Sequence, residues 1–158
     1  MILDPMVNFW IFVLVQFTFF VLVAFHLNKA DKIIKYLLLG LIIGLPFGVA
    51  FDLLIGEYVG VFSYYLGFTK DFVIINAVLS YGLLISTVAL IKNLKIISLY
   101  LWSVLIACVY ELINYLSPVW EWTFGGFLYE LVVVIGAAYF GLMLLMILVI
   151  KAVGFKNK

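Results

Sequence analysis

Residues 33–56, IIKYLLLGLIIGLPFGVAFDLLIG, decide the fold of this chain. Apart from Lys35 near its start and Asp52 near its end, the stretch carries no charge, and it lacks the apolar–polar alternation of a barrel strand. A helix needs about 20 such residues to cross roughly 30 Å of hydrocarbon. The stretch therefore predicts a transmembrane helix.

Four further stretches follow the same pattern, at residues 7–26, 71–91, 96–116 and 127–150. Of the 158 residues, 68% are hydrophobic and only 11% are charged, whereas a soluble domain carries about 25% charged residues. A soluble fold cannot hide this much apolar surface. We therefore predict an all-α polytopic membrane bundle of five transmembrane helices, which forms one integral membrane domain over residues 1–158.

The charges between the apolar stretches alternate in sign along the chain. Eight of the nine lysines fall in the first, third and last connecting segments: Lys29, Lys32, Lys35, Lys92, Lys95, Lys151, Lys156 and Lys158. Seven of the eight acids lie on the other side or at span ends close to it: Asp4, Asp52, Glu57, Asp71, Glu111, Glu121 and Glu130. The positive-inside rule then places the N-terminus outside and the C-terminus in the cytoplasm, and we expect a microbial plasma membrane.

Composition also narrows the partners and cofactors. Net charge is +1 without a basic tract, so we expect no nucleic-acid partner. Cys108 is the only cysteine and His26 the only histidine, which argues against a multi-cysteine or all-histidine metal site. No cofactor motif appears. The expected partner is the lipid bilayer, and a homo-oligomer is left open.

Two parts of the sequence resemble one another at a separation of 59 residues. Phe51-Asp52-Leu53 ends the second predicted span, and Tyr110-Glu111-Leu112 ends the fourth. An aromatic-rich external loop follows each of them. A second acid then opens the next span, Asp71 in one case and Glu130 in the other. We interpret this as two tandem two-helix repeats, at 33–91 and 96–150, after an additional first span.

Two related hairpins that face each other bring the four repeated acids together. These candidate catalytic residues are Asp52, Asp71, Glu111 and Glu130. Buried carboxylic acids can donate protons to a substrate, and ionised ones can stabilise a carbocation. The alternative is that acids at span ends reach into the headgroup region or cap their helices.

Aromatic residues near the same ends are the candidate ligand-binding residues. They are Phe51, Phe62, Tyr64, Tyr110, Trp120 and Trp122. Ring faces can line a pocket for a polyene or stabilise a cation. The alternative is an interfacial aromatic belt.

Small residues recur at every fourth position of the second span, at Gly40, Gly44 and Gly48. This spacing predicts a close approach of a neighbouring helix. Pro46 in the same span predicts a bend beneath Asp52.

The segment from Gly44 to Asp52, followed by Gly60-Val61-Phe62-Ser63-Tyr64, resembles the small membrane-embedded lycopene cyclase domains. In that family an aromatic–Asp pair ends a span, a Gly-x-aromatic loop follows, and two related halves occur in tandem. Phe51 and Asp52 match the aromatic–Asp pair. Near the family's Pro-x-Glu-Glu motif this chain has Thr69-Lys70-Asp71-Phe72, which lacks the proline and the paired acids.

The resemblance implies a protein that binds an isoprenoid or other lipidic substrate and isomerises or cyclises it by acid catalysis, without a cofactor. Asp71 or Glu130 would protonate a double bond, and Asp52 and Glu111 would stabilise the cation or accept a proton. Two non-enzymatic alternatives stay open at this point. They are a cation- or proton-handling membrane subunit with an acidic external cluster, and a structural assembly partner.

Overall fold

The computed structural model describes residues 4–67, 69–123 and 130–153. Within these residues, helix α1 covers Pro5–His26, and helix α2 covers Ile33–Phe51 after the short 3-10 turn Ala30–Lys32. The helix α2 continues as a π-helical segment, Asp52–Tyr58. Helix α1 begins where its sequence predicts, because Asp4 Oδ1 accepts a 2.8 Å hydrogen bond from the Met6 amide and Pro5 occupies the first turn.

The next helical rod has three parts in sequence. Helix α3 covers Lys70–Asn76, a π-helical segment covers Ala77–Tyr81, and helix α4 covers Gly82–Ile91. Helix α5 then runs over Ile96–Leu116. Residues 81–92 are all buried, so the α3–α4 rod forms the centre of the bundle, and α1 and α2 pack against it.

A further helical stretch closes the described part of the chain. The π-helical segment Glu130–Ala138 leads into helix α6, Tyr139–Ala152, which contacts α4 and α5. The prediction of a span at 127–150 falls partly on residues 124–129, which lie outside the described residues. A fifth crossing therefore stays a prediction.

Four helical stretches among the described residues are long and apolar enough to cross a membrane. They are Pro5–His26, Ala30–Tyr58, Lys70–Ile91 and Ile96–Leu116. The first and last residues of each stretch lie within three residues of those predicted from the sequence. This architecture is compatible with an all-α membrane bundle and with a multi-pass integral membrane protein.

The two aromatic-rich loops pair with each other, which the sequence did not predict. Strand β1, Phe62–Tyr64, and strand β2, Trp120–Trp122, form an antiparallel ribbon in which Ser63 faces Glu121. The rings of Phe62 and Trp122 meet edge to face with centroids 5.8 Å apart. Cross-strand aromatic pairs of this kind stabilise short ribbons, which is the physical reason for the pairing.

Most of the described lysines and most of the described acids lie at opposite ends of the bundle, and Lys70 and Asp31 are the exceptions. At the ribbon end, Asn8 near the start of α1 accepts a 2.7 Å hydrogen bond from the Ser117 hydroxyl and donates one of 3.1 Å to the Pro118 carbonyl. At the other end, the Lys29 ammonium donates to the Leu90 carbonyl. Helices that follow one another along the chain therefore run antiparallel, as the alternation of charge predicts, whereas α1 and the α3–α4 rod run in the same direction.

The glycines at every fourth position allow the close helix packing that was predicted. A Cβ atom added at Gly40 would lie 2.1 Å from the Gly82 carbonyl oxygen, and one added at Gly44 would lie 2.7 Å from Gly82 Cα. At Gly48 the same atom would lie 2.7 Å from Ala77 Cα. The prediction for this spacing is confirmed, and the contact fixes α2 against the central rod next to Asp52.

Candidate functional site

Asp52 is the most completely buried acid of the described residues, with 0% of its surface exposed. Its Oδ1 atom accepts 2.8 Å hydrogen bonds from the hydroxyls of Tyr64 and Tyr81. Its Oδ2 atom accepts a 3.0 Å hydrogen bond from Asn76 Nδ2, which also donates to the Tyr64 hydroxyl at 2.9 Å. Three donors therefore hold one carboxylate, an arrangement suited to its ionised form because a carboxylate only accepts.

Irregular backbone positions these groups. Asp52 is the first residue of the π-helical segment that ends α2, and Tyr81 is the last residue of the one that precedes α4. Tyr64 belongs to β1, which is held in place by its pairing with β2. Single π turns within helices are frequent at functional sites, since the extra residue redirects side chains. Here Asp52 and Tyr81 lie in two such segments, and their side chains are hydrogen-bonded to each other.

Glu111 on α5 is held in a similar way. It accepts a hydrogen bond of 3.3 Å from Trp122 Nε1 and one of 3.0 Å from the Tyr139 hydroxyl. Trp122 is the last residue of β2, as Tyr64 is the last of β1. Tyr139 directly follows a π-helical segment, and Tyr81 ends one.

A partly open cavity of about 180 Å³ lies between these two acid sites. Nine of its seventeen lining residues are aromatic, and all six predicted ligand-binding residues are among them. The nine are Phe12, Phe51, Phe62, Tyr64, Tyr81, Tyr110, Trp120, Trp122 and Tyr139. The predicted aromatic residues thus surround one space. That they bind a ligand there stays a prediction.

Asp52 and Glu111 lie behind the aromatic residues that line the cavity. Neither Asp52 nor Glu111 is among the residues that line the cavity, whereas their partners Tyr64, Tyr81 and Tyr139 are. A molecule in the cavity would contact phenol groups first, and each carboxylate would act on it through a phenol or as a fixed charge. Tyr64 belongs to the loop segment, and its pKa lies well above the usual value because it is buried and lies beside the Asp52 charge.

The other two predicted catalytic acids are placed differently. Asp71 is exposed in the first turn of α3, and it is not one of the cavity-lining residues. The Glu130 backbone begins a π-helical segment, but its side chain lies outside the described part of the structure. The roles assigned to Asp71 and Glu130 stay predictions.

The loop acids face away from the cavity site. Glu121 is exposed on β2 and accepts long hydrogen bonds from the hydroxyls of Ser63, at 3.3 Å, and Tyr65, at 3.4 Å. Glu57 is exposed at the end of α2's π-helical segment. Across the described residues, no group of three or more His, Cys, Asp or Glu side chains is arranged to hold a metal ion.

Sequence reasoning missed four residues of this site. Tyr81, Tyr139 and Asn76 hold the acids, and Gln16 of α1 lines the cavity. The spacing of residues in the sequence could have indicated Tyr81 and Tyr139. Tyr81 and Tyr139 are 58 residues apart, and so are Tyr64 and Trp122. This separation is nearly the 59 residues between Asp52 and Glu111.

The comparisons with known proteins assign no family to this site. No protein-family model, no curated protein and no solved structure matches the chain.

Proposed function

We propose that the protein binds the end of an isoprenoid or similar lipidic molecule in the aromatic cavity. The observation that carries this proposal is that the six aromatic residues singled out by sequence line the same cavity, together with three further rings. Ligand pockets for apolar molecules are typically lined by such residues with a few convergent polar groups.

The size of the cavity limits what enters it. An engineered cavity of about 150 Å³ accommodates benzene, so a cavity of about 180 Å³ suits one ring or a short branched chain. A long polyene would insert only its end group. The remainder would extend beyond the cavity, which is partly open.

We further infer that the chain crosses the membrane five times and contains two related halves. Support comes from the ribbon, in which the equivalent segments of the two proposed repeats pair antiparallel about Ser63 and Glu121. Further support comes from the matching environments of Asp52 and Glu111. In this proposal the ribbon end faces outside and the lysine end faces the cytoplasm of a microbial cell.

If the protein is an enzyme, the proposed reaction is an acid-catalysed isomerisation or cyclisation of the lycopene cyclase type. A proton added to one double bond leaves a carbocation. In a cyclisation a second double bond of the same molecule attacks this cation and closes the ring, which moves the positive charge to another carbon. In either reaction, loss of a proton from the carbon next to the cation restores a double bond without net oxidation. Ring faces stabilise a cation by about 0.5–2 kcal/mol each, and the Asp52 and Glu111 carboxylates add fixed negative charge. The proposed proton donor is Asp71 or Glu130, and Asp71 would have to reach the part of the ligand outside the cavity, because it is exposed and does not line the cavity.

Extraction of bound lipids tests the proposal. The full chain is purified as wild type and as Asp52→Asn with Glu111→Gln, and the extracts are compared by mass spectrometry. Glu57→Gln is the control, because it neutralises an exposed acid that does not line the cavity. A specific isoprenoid in the wild type and the control, and its loss in the double variant, supports the proposal.

The same experiment can refute the proposal. Ordinary phospholipid in all three extracts would favour the cation-handling or assembly alternatives. A melting temperature measured for each sample separates loss of a ligand from loss of the fold.

A further inference from the structure

Four lysines from four parts of the chain meet at the end of the bundle opposite the ribbon, and we call them the lysine cluster. Lys29 follows α1, Lys35 lies in the first turn of α2, Lys92 directly follows α4, and Lys151 lies in the last turn of α6. The Lys29 ammonium donates to the Leu90 carbonyl, which places it near the end of α4.

Lys92 is the centre of the lysine cluster. It exposes only 5% of its surface, whereas Lys35 and Lys151 are exposed. The pKa of the Lys92 ammonium is lowered first by burial and then by the charges of Lys151, Lys29 and Lys35. Like charges repel one another more strongly where little water screens them. The cluster is therefore a place where an added anion lowers the free energy of the folded protein.

The positive-inside rule does not account for this arrangement by itself. The rule needs only that lysines occur in the segments on one side of the membrane, and an exposed residue such as Lys95 satisfies it. It does not require one lysine to be buried with three others around it. Across the described residues, Asp31 is the one acid at this end, against six lysines. The excess of positive charge thus extends beyond the cluster.

The depth of the lysine cluster matches that of lipid phosphates. Lys92 directly follows the apolar stretch Lys70–Ile91, and headgroups lie immediately outside the hydrocarbon that such a stretch spans. Phe25 and Leu148 are exposed apolar residues about one helical turn before Lys29 and Lys151. A lipid whose phosphate lies at the cluster can place its hydrocarbon chains along such side chains.

We propose that the lysine cluster binds the phosphate group of an anionic membrane lipid of the phosphatidylglycerol type. An ammonium carries three donors, of which the Leu90 carbonyl takes one at Lys29, and phosphate oxygens are strong acceptors of such charge-assisted bonds. Basic pockets between transmembrane helices are known to bind anionic headgroups. The proposed site lies at the opposite end from Asp52 and does not depend on what the aromatic cavity binds.

The test compares two lipids that have the same hydrocarbon chains. The purified full chain in a non-ionic detergent is titrated with dioleoylphosphatidylglycerol or with dioleoylphosphatidylcholine, which adds a positive trimethylammonium group to the phosphate. Native mass spectrometry gives the affinity of each lipid. We expect the wild type to bind phosphatidylglycerol at least about tenfold more tightly, with a smaller preference at high salt.

Single substitutions in the lysine cluster should weaken binding of the anionic lipid alone. Lys151→Met and Lys35→Met, on different helices, should each weaken phosphatidylglycerol binding by about fivefold and change phosphatidylcholine binding by less than about twofold. Lys151→Arg keeps the charge and should bind as the wild type does. Lys95→Met and Lys70→Met are the matched controls, because they remove exposed lysines outside the cluster, the first at the same end and the second at the ribbon end. Neither should change the affinity by more than about twofold.

Three results would overturn the proposal. The first is equal affinity of the wild type for the two lipids. The second is a loss in Lys95→Met as large as that in Lys151→Met, which would indicate diffuse attraction to the whole lysine end. The third is displacement of phosphatidylglycerol by an equal concentration of glycerol phosphate, which would assign the cluster to a soluble anion.

Misfolding and failure of the cavity proposal are both distinguishable from these results. Removing one of the repelling charges should leave Lys151→Met at least as stable as the wild type without added lipid. A melting temperature for each variant therefore separates weaker binding from loss of the fold. Any isoprenoid held in the aromatic cavity should be retained in all of these variants, because none of the substituted lysines lines the cavity.

Discussion

The Tyr81 hydroxyl donates a 2.8 Å hydrogen bond to Asp52 across 29 residues of sequence. This contact joins the end of α2 to the π-helical segment that precedes α4. It also connects the buried acid to the cavity, because Tyr81 lines the cavity and Asp52 does not. The carboxylate is consequently part of the structure that shapes the cavity wall, whatever further role it has in chemistry.

Replacing Asp52 should destabilise the protein through the donors it leaves behind. Asp52→Ala removes the acceptor of the buried Tyr64 and Tyr81 hydroxyls and of Asn76 Nδ2, which keeps its hydrogen bond to the Tyr64 hydroxyl. The loss at each of the two hydroxyls costs about 1–3 kcal/mol, so we expect a decrease of at least roughly 2 kcal/mol in the free energy of unfolding. Asp52→Asn keeps one carbonyl acceptor and should lose about half as much. Unfolding by SDS in mixed micelles measures the difference.

Glu57→Ala is the control for this prediction. Glu57 is exposed, and substitutions at such positions change stability by about 0.5 kcal/mol or less. Equal losses for Asp52→Ala and Glu57→Ala would contradict the view that the hydrogen bonds to Asp52 stabilise the fold.

The sequence was sufficient for the parts of this fold that depend on local composition. Long apolar runs predicted the helices, and Gly40, Gly44 and Gly48 predicted the close approach of a neighbouring helix, because both depend on residues near in sequence. Six of the nine aromatic residues of the cavity could be selected because they lie at span ends beside the acids or in the loops that follow. The strand pairing was missed, since three-residue strands give little local signal.

The acid partners were harder to predict for a physical reason. Whether Tyr81 or Tyr139 faces an acid depends on the rotation of its helix, and a π turn changes that rotation by one residue. Gln16 was missed because α1 lies outside the proposed repeats, yet this helix contributes Phe12 and Gln16 to the cavity. Side-chain networks between distant segments follow from the packing and cannot be read from spacing alone.

A methyl group at the helix contact should be poorly tolerated. In Gly44→Ala the new Cβ would lie 2.7 Å from Gly82 Cα and 2.8 Å from the Ala77 carbonyl oxygen, both backbone atoms. The helices must separate, and overpacking of this kind costs about 1–3 kcal/mol. We expect a lower free energy of unfolding and, because Asp52 lies further along the same helix, weaker ligand binding.

Gly141→Ala is the matched control on α6. Nothing lies within 4 Å of a Cβ atom added there, and alanine is favoured over glycine in helices by up to about 1 kcal/mol. The control should be neutral or stabilising. A Gly44 variant as stable as this control would mean that the helices are not in the contact described here.

Cysteine labelling should locate the two ends of the bundle. In a Cys108→Ser background, Thr69→Cys places a thiol at the exposed start of α3, and Asn93→Cys places one at the exposed turn after α4. A membrane-impermeant maleimide should label Thr69→Cys on intact cells and Asn93→Cys only after lysis. Labelling in the opposite order would reverse the proposed orientation. Labelling of both on intact cells would mean that Lys70–Ile91 does not cross the membrane.

Stability should rise with pH because of the lysines at the other end of the bundle. Lys92 exposes only 5% of its surface, and its pKa is lowered mainly by burial and further by the charges of Lys151, Lys29 and Lys35. The unfolded chain holds this proton until about pH 10.4. Between the lowered pKa and that value the unfolded state binds more protons, so the free energy of unfolding increases with pH.

Removing a neighbouring charge tests the cause of this pH dependence. Lys151→Met should raise stability near pH 7 by up to about 1 kcal/mol, with a smaller gain at high salt because the repulsion is screened. The gain should vanish above about pH 10, where Lys92 is neutral. Lys95→Met removes an exposed lysine at the start of α5 and should show a smaller effect at every pH. Thermal unfolding in detergent at several pH values measures all three proteins. A gain for Lys151→Met that persists at high pH would assign the effect to the apolar side chain of methionine instead of to relief of charge repulsion at Lys92.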